Sequence, residues 1–136
     1  MKKIIMLNDD LESQMRMYLT LNPQYRIDIA ENEVILMRML RRKKPKLLMI
    51  DASYRNPRHQ GRSFVSLVEK IKQKYNRLFI LTVVDDDTQK LIPKLKQLGV
   101  EAWIDRTAEA DTLLERVNEL LDYKLPIEPS IPAETA

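Results

Sequence analysis

The stretch Lys46-Leu-Leu-Met-Ile-Asp51 decides how the rest of the chain is interpreted. Its consecutive apolar residues end in a carboxylate, and Pro45 precedes it. Such a run, without polar alternation, predicts a strand buried on both faces, as in the centre of a parallel sheet. Asp51 would then lie at the carboxyl end of that strand, which is the edge where open α/β sheets bind ligands. The stretch therefore predicts a fold class and the position of a site.

Two other apolar runs end in polar residues in the same way. Ile4-Ile-Met-Leu7 leads into Asn8-Asp9-Asp10, and Leu78-Phe-Ile-Leu81 leads into Thr82. The carboxyl ends of parallel strands meet at one edge of a sheet. If these runs are neighbouring strands, their polar ends and Asp51 come together.

Two further strands and five helices complete the pattern. Ala102-Trp-Ile104 predicts a short strand that ends in Asp105-Arg106, and the alternation in Arg26-Ile-Asp-Ile-Ala30 predicts an edge strand. Helices are predicted over residues 10–21, 32–42, 63–75, about 91–98 and about 109–123. Regular alternation of strands and helices requires right-handed crossovers and a parallel sheet covered on both faces. We predict an α/β fold with a five-stranded parallel sheet in the order 2-1-3-4-5, a flavodoxin-like three-layer sandwich.

Apolar residues at three- and four-residue spacing predict the inner faces of the helices. The first helix is expected to use Leu11, Met15, Tyr18 and Leu19. The second is expected to use Val34, Ile35, Met37 and Leu40, and the third Phe64, Leu67, Val68 and Ile71. Pro93 predicts a short or kinked fourth helix that starts near Leu91, because proline removes a backbone donor. Gly99 is expected in a left-handed cap at its end.

Composition places the chain among globular domains. It has 136 residues, a net charge of +3 and no cysteine, so disulfides and thiolate metal sites are excluded. We expect one domain over residues 1–123 and a proline-rich flexible tail or linker over residues 124–136. No apolar run has transmembrane length, and a cytoplasmic location is expected.

Two charged runs have a structural and a functional interpretation. Arg41-Arg-Lys-Lys44 would be a patch for an anionic partner, or cations at a helix C-terminus, where they interact favourably with the helix dipole. Asp85-Asp-Asp87 would be a metal site, or acids at a helix N-terminus. We favour the structural interpretation for both.

The predicted strand order places Asp9, Asp51 and Thr82 around one crevice, which Arg106 reaches from the fifth strand. Two carboxylates suit a hard divalent ion such as Mg²⁺, which also accepts water and phosphate oxygens. A hydroxyl and a guanidinium suit the oxygens of a phosphoryl group. An aspartate beside Mg²⁺ can attack phosphorus because the metal neutralises the approaching oxygens.

On these residues the chain resembles the receiver domains of bacterial two-component response regulators, such as the chemotaxis response regulator, over about residues 2–123. The resemblance is carried by Lys2-Lys-Ile-Ile-Met-Leu-Asn-Asp-Asp10, Leu47-Leu-Met-Ile-Asp51, Leu81-Thr82 and Gly99-Val-Glu-Ala-Trp-Ile-Asp-Arg106.

The resemblance implies a role for each matching residue. Asp51 would be the phosphoacceptor, and Mg²⁺ would be bound by Asp51, Asp9 and the main-chain carbonyl of Ser53, with Asn8 or Asp10 left open as a further ligand through water. Thr82 would be the switch hydroxyl and Arg106 a phosphate contact. Trp103 stands where the family often has a tyrosine or phenylalanine whose rotamer reports activation.

The chain departs from the family pattern at several positions. The acidic pair is Asn8-Asp9 in an ungapped alignment, and Arg106 replaces a lysine, with Thr107 replacing the proline that usually follows it. The loop after Asp51 lacks the usual Met-Pro, and it and the stretch after Thr82 are each longer by about two residues than the family pattern.

Three functions are compatible with this fold. The first is a receiver that accepts a phosphoryl group on Asp51 from a histidine kinase or phosphotransfer protein and signals to a downstream protein or output domain through helix four, strand five and helix five. The second is a receiver-like protein-interaction module that acts without phosphorylation. The third, an enzyme, is disfavoured, because a dehalogenase-type phosphatase needs an acid where Ser53 stands. Direct nucleic-acid and membrane binding are not expected, and a homodimer is left open.

Overall fold

The computed structural model describes residues 1–54 and 61–121. Within these ranges, strands and helices alternate along the chain. The order is β1 (Lys3–Leu7), α1 (Leu11–Leu21), β2 (Arg26–Ala30), α2 (Glu33–Lys43), β3 (Leu47–Asp51), α3 (Gly61–Lys74), β4 (Phe79–Val84), a 3₁₀ turn (Gln89–Leu91), α4 (Ile92–Gln97), β5 (Ala102–Asp105) and α5 (Ala110–Leu121). The expected tail over residues 124–136 and the loop around Pro57 lie outside the described residues.

The strands form one parallel sheet in the order β2-β1-β3-β4-β5. The predicted fold class and strand order are therefore confirmed. β3 is central and all of its residues are buried. Asp51 lies opposite Val83 and Ile50 lies opposite Thr82, so the strand ends that carry the predicted site are neighbours.

The sheet separates two apolar cores, which gives the three layers. On one face, Ile5, Leu48 and Ile80 pack against residues of α2, α3 and α4. On the other face, Met49 and Leu81 pack against α1 and α5. Side chains alternate between the faces of a strand, and a strand covered on both faces therefore needs an uninterrupted apolar run. This requirement explains why the apolar runs located the central strands.

The predicted inner face of α1 is wrong. Leu11, Met15 and Leu19 are exposed, with 75%, 58% and 62% of their surface accessible. The buried residues of α1 are Ser13, Met17 and Leu21, which also recur every four residues. Two stripes offset by two residues lie on opposite sides of a helix. Spacing alone could not choose between them, because the buried stripe contains a serine.

The inner face of α2 was predicted only in part. Leu40 is buried as expected, but Leu36 is the other buried residue and Val34 is 70% exposed. The inner residues of α3, in contrast, are buried as predicted: Phe64, Leu67, Val68 and Ile71. In α3 a single stripe is apolar, so its spacing is unambiguous.

The segment around Pro93 is short and helical, as predicted. A 3₁₀ turn over Gln89–Leu91 leads into α4, where Pro93 stands in the first turn and no donor is lost from the helix interior. Gly99 has a φ of +92° and ends the helix in the left-handed region. Among the described helices, none is long and apolar enough to cross a membrane.

Candidate functional site at the carboxyl edge of the sheet

Asp51 is a buried carboxylate whose oxygens are both hydrogen-bonded. It ends β3 with 1% of its surface exposed. Arg106 donates from Nη2 to Oδ1 at 2.6 Å and from Nε to Oδ2 at 3.2 Å. The backbone N–H of Ser53 also donates to Oδ1, at 2.7 Å. A buried charge is tolerated when it is paired and hydrogen-bonded, and this carboxylate meets both conditions.

Arg106 follows β5 and is held in place by its own backbone. Its N–H donates to the carbonyl of Val84 at 2.8 Å, which continues the ladder between β4 and β5. Its carbonyl accepts a hydrogen bond from the guanidinium of Arg16 on α1, which also donates to the carbonyl of Ala108 at 3.1 Å. The backbone that carries Arg106 is therefore fixed from the sheet and from α1.

Asp85 is a second acid of the cluster. The Nη1 group of Arg106 donates to its Oδ2 at 2.9 Å, and the hydroxyl of Ser53 donates to the same oxygen at 3.2 Å. The backbone N–H of Thr88 donates to Oδ1 at 3.0 Å, so Asp85 also caps the following turn. We call Asp51, Asp85 and Arg106 the acid–arginine cluster. One guanidinium bridges two carboxylates in it.

The pKa values of the cluster reflect burial and pairing in different proportions. Desolvation raises the pKa of Asp51 above its usual value, although hydrogen bonds from Arg106 and Ser53 oppose the rise. The nearby Asp9 carboxylate adds to it. Burial of Asp85 also acts to raise its pKa, but hydrogen bonds from Thr88 and the charge of Arg106 outweigh burial, and the pKa of Asp85 is lowered. Arg106 keeps its charge, because its contacts with both acids outweigh desolvation and raise its pKa.

Asn8, the first polar residue after β1, forms hydrogen bonds with residues at the start of α1. Asn8 is buried, its Nδ2 donates to Ser13 Oγ at 3.2 Å, and its Oδ1 accepts from the N–H of Asp10 at 2.9 Å. The side-chain amide of Gln14 donates to the carbonyl of Asn8 at 2.9 Å. Asp9 and Asp10 are exposed at the same edge. The amide of Asn8 thus fixes the start of α1 and faces Ser13 on the buried stripe of that helix.

These residues do not fit a divalent cation well. The amide oxygen of Asn8 is occupied by Asp10, and both carboxylate oxygens of Asp51 are occupied by Arg106, which supplies the positive charge itself. Within residues 1–54 and 61–121, no three histidine, cysteine, aspartate or glutamate side chains are grouped so as to hold a metal ion. The Mg²⁺ ligand role of Asp9, Asp51, the Ser53 carbonyl and Asn8 or Asp10 stays a prediction.

Thr82 and Trp103 lie together but point away from the Asp51 side chain. Thr82 pairs with Ile50 on one side and with Trp103 on the other, whereas Asp51 pairs with Val83. Because side chains alternate along a strand, Thr82 and Trp103 share the opposite face of the sheet from Asp51. The hydroxyl of Thr82 is buried and has no hydrogen-bond partner among the described residues. Their role as a switch stays a prediction.

The sequence interpretation missed two members of the site. Asp85 is predicted from the sequence as an acid at a helix N-terminus, with a metal site as the alternative, yet it binds Arg106, because β4 continues through Val84 and brings the acidic run to the edge of the sheet. Arg16 was not considered at all. A cation on α1, within reach of the loop after β5, is visible only once the packing of α1 beside α5 is known.

Comparison with solved structures shows the same fold in receiver domains. A response regulator from Thermotoga maritima matches with a TM-score of 0.77 and 18% identity over 90% of this chain and 98% of that one. The receiver domain of NtrX from Brucella abortus matches with a TM-score of 0.78 and 16% identity over 88% of this chain and 98% of that one. A CheY-like receiver domain protein from Methanospirillum hungatei matches with a TM-score of 0.76 and 20% identity, over 90% and 94%.

The comparisons also limit what can be transferred. The chain spans only 26% of a longer NtrX chain from Brucella abortus, so it corresponds to one part of that protein. Comparison of the sequence with family models and with curated proteins gives no match. With identities of 14–20%, the likeness lies in the architecture. The chain has the fold of response-regulator receiver domains.

Proposed function

We propose that this chain is a receiver-type signalling module that binds protein partners without phosphorylation of Asp51. One observation carries the proposal: Arg106 donates a hydrogen bond to each carboxylate oxygen of Asp51. A planar guanidinium matches a carboxylate through paired donors, and such pairs are the stronger class of hydrogen bond. The acid is therefore neutralised by a side chain of the protein itself.

The surroundings of this pair support the same function. Asp85 binds the third donor group of Arg106, so the guanidinium is held from two sides. Asn8 is turned toward Ser13 and offers no charge to a metal. Phosphoryl transfer to an aspartate needs a cation on the approaching oxygens. A site whose cation is already committed to two carboxylates is poorly prepared for that transfer.

An apolar surface on α1 supports partner binding. Leu11, Met15 and Leu19 form an exposed stripe along one side of this helix. Contiguous exposed apolar residues on a soluble domain commonly mark an interaction surface. A second surface lies at β5, where Trp103 is half-buried and the ammonium of Lys96 on α4 is 5.3 Å from its ring centroid. In this proposal the module is recognised through these surfaces and has no enzymatic activity of its own.

Phosphoacceptance by Asp51 is the second candidate. It is favoured by the position of Asp51 at the end of the central strand, beside Arg106 and near Asp9. In that case a histidine kinase or phosphotransfer protein would donate the phosphoryl group, Mg²⁺ would assist, and a downstream protein or output domain would respond at the surface of α4, β5 and α5. This route requires that Asp51 be released from Arg106.

One experiment separates the candidates. The intact mass of the protein is measured after incubation with a small-molecule phosphodonor and Mg²⁺, with an ordinary receiver domain as the positive control. Asp51→Ala serves as the negative control, and Arg106→Lys tests whether the guanidinium blocks the acid. Lysine keeps the charge but has no paired donors, so it frees one carboxylate oxygen.

The outcomes are distinct. We expect no gain of mass in the parent protein under conditions that modify the ordinary receiver. A gain of one phosphoryl group in the parent, absent in Asp51→Ala, would establish the phosphoacceptor instead. A gain only in Arg106→Lys would support the proposal most directly, because it would show that Arg106 keeps Asp51 from reacting.

A further inference from the structure

A cavity of about 530 Å³ opens at the amino edge of the sheet, opposite the acid–arginine cluster. It lies between the segment that enters β3 and the segment that enters β4. Since β3 runs from Leu47 to Asp51, at about 3.3 Å per residue, the cavity is separated from the cluster by roughly 13 Å. The two places are therefore physically distinct.

The rim of this cavity is strongly basic. Its cationic residues are Arg41, Lys44, Lys46, Lys74 and Arg77, and its described lining includes no aspartate or glutamate. Four of these form no side-chain hydrogen bond or ion pair with any residue in the described part of the chain: Arg41, Lys44, Lys46 and Arg77. We call this place the basic cavity.

A helix dipole does not account for the basic cavity as a whole. Arg41, Lys44 and Lys74 lie in the last turn or at the cap of α2 or α3, where a cation is favourable. Lys46 and Arg77, however, precede strands and gain nothing from a helix end. Cations gathered without counter-charges repel one another, and an anionic ligand would relieve that repulsion. The chain as a whole has a net charge of only +3, so this concentration is local.

The floor of the basic cavity is apolar and aromatic. Leu40, Pro45, Tyr75 and Leu78 line it. Lys74 lies over the ring of Tyr75, with its ammonium 5.7 Å from the ring centroid. The hydroxyl of Tyr75 is buried and, among the described residues, has no hydrogen-bond partner. The hydroxyl itself is closed off from the cavity, so the floor offers a ligand only the ring face and apolar groups.

From the charge, the apolar floor and the volume together, we propose that the basic cavity binds a nucleotide of the nucleoside polyphosphate class. Its phosphates interact with Arg41 and Arg77, because arginine donates paired hydrogen bonds to phosphate oxygens. Its base occupies the apolar floor beside Tyr75. The cavity volume is within the range of small-molecule sites, which is about 300–1,000 Å³.

The test is calorimetric titration of the whole chain with ATP at physiological ionic strength. Adenosine and tripolyphosphate are titrated separately, because each retains only one half of the ligand. We expect saturable binding of ATP with one site per chain, and weaker binding of both fragments. If tripolyphosphate binds as tightly as ATP, the cavity recognises charge alone and the proposal is wrong.

Two matched variants locate the site. Arg41→Ala should weaken ATP binding about tenfold, because a charge-assisted contact is lost. Arg42→Ala removes the same charge from the neighbouring position of α2, which does not line the basic cavity, and should change affinity less than about twofold. Equal losses in both variants would mean that ATP responds to general charge, and would overturn the proposal.

Two substitutions of Tyr75 test the floor of the cavity. Tyr75→Phe removes a buried hydroxyl that has no partner among the described residues and is closed off from the cavity, so it should leave the free energy of unfolding and the ATP affinity unchanged. Tyr75→Ala removes the ring that lines the floor and should weaken ATP binding. Unchanged ATP affinity in Tyr75→Ala would show that the nucleotide base does not bind on the floor of the cavity, and would contradict the proposal. Single-stranded DNA is the last arm: if an oligonucleotide binds and ATP does not, the face is a polyanion surface and contains no nucleotide site. Failure of any arm leaves the proposal for Asp51 intact, because Asp51 lies at the other edge.

Discussion

The two edges of the sheet handle charge in opposite ways. At the carboxyl edge, Arg106 makes three hydrogen bonds to two carboxylates, and the charges are paired within the protein. At the amino edge, the cations of the basic cavity surround an apolar floor without a matching acid in its described lining. In a receiver fold, ligands are expected at the carboxyl edge. In this chain, Asp51 and Asp85 at the carboxyl edge are already paired with Arg106. The cations that lack counter-charges among the described lining residues lie at the amino edge.

This difference shows that the fold of a chain and the ligand-binding capacity of its site are determined by different residues. The backbone that brings strand ends together is retained, but single side chains decide whether the edge can still take a ligand. Arg106 alone occupies both oxygens of Asp51, since arginine has a planar set of donors that lysine lacks.

The largest effect is expected from Arg106→Ala. It leaves Asp51 buried without its cation, and removing one partner of a buried ion pair costs about 3 kcal/mol at neutral pH, the lower end of the usual range because Arg106 is partly exposed. Denaturant unfolding measures this loss. Arg116→Ala is the matched control, since it loses an exposed ion pair with Glu119 and a hydrogen bond to the carbonyl of Trp103, which together contribute about 1–2 kcal/mol. Equal losses would mean that Asp51 does not depend on Arg106.

The pH dependence of stability sharpens the comparison within the paired edge. The folded-state pKa of Asp51 is raised, so its ionisation favours the unfolded state. The contribution of Asp51 is therefore fully present below the unfolded pKa and is lost as pH rises through the folded pKa. The free energy of unfolding of the parent, minus that of Asp51→Asn, should fall over this window.

Asp85 contributes the opposite slope. Its folded pKa is lowered, so its stabilisation is present above the unfolded pKa and is lost as pH falls through the folded pKa. Because the parent and Asp51→Asn both retain Asp85, subtracting one unfolding curve from the other largely removes its contribution. A difference that rises with pH would show that Arg106 outweighs burial at Asp51.

A smaller effect is expected at the unpaired edge from Lys44→Gly. Lys44 ends α2 with a φ of +49°, in the left-handed region that glycine adopts without strain. Glycine should be more stable than alanine at this position by about 1 kcal/mol, as measured by thermal or denaturant unfolding. Lys44→Ala separates the two causes, since it removes the charge but keeps the positive φ. If alanine and glycine give the same stability, the backbone of Lys44 is not strained.

The sequence predicted the sheet well because its signal is redundant. The central strands are apolar runs, and those of β1 and β3 end in a polar residue at the edge where Asp51 lies, whereas β4 continues for two residues beyond Thr82. Several strands thus predict the same parallel sheet independently. The strand order then places the end of β5, and with it Arg106, near Asp51. The helices carry a weaker signal, since α1 has two apolar stripes and the buried one contains Ser13.

The contacts within the site could not be predicted from residue types. Asn8 was considered for a metal, but its amide bonds to Ser13 Oγ, and only the packing of α1 determines this. Asp85 joined the site because β4 is longer than the apolar run suggested. Thr82 lies on the other face from Asp51, since strand pairing fixes the register and a run of apolar residues does not.

The hydrogen bonds from Arg16 to the carbonyls of Arg106 and Ala108 give α1 a mechanical role. Arg16 is next to Met15, which belongs to the exposed apolar stripe of the same helix. Two adjacent residues of α1 therefore have different roles. Met15 belongs to the exposed surface, and Arg16 is hydrogen-bonded to the backbone of Arg106. The helix that carries the exposed apolar stripe and the guanidinium that pairs with Asp51 therefore belong to one hydrogen-bonded assembly.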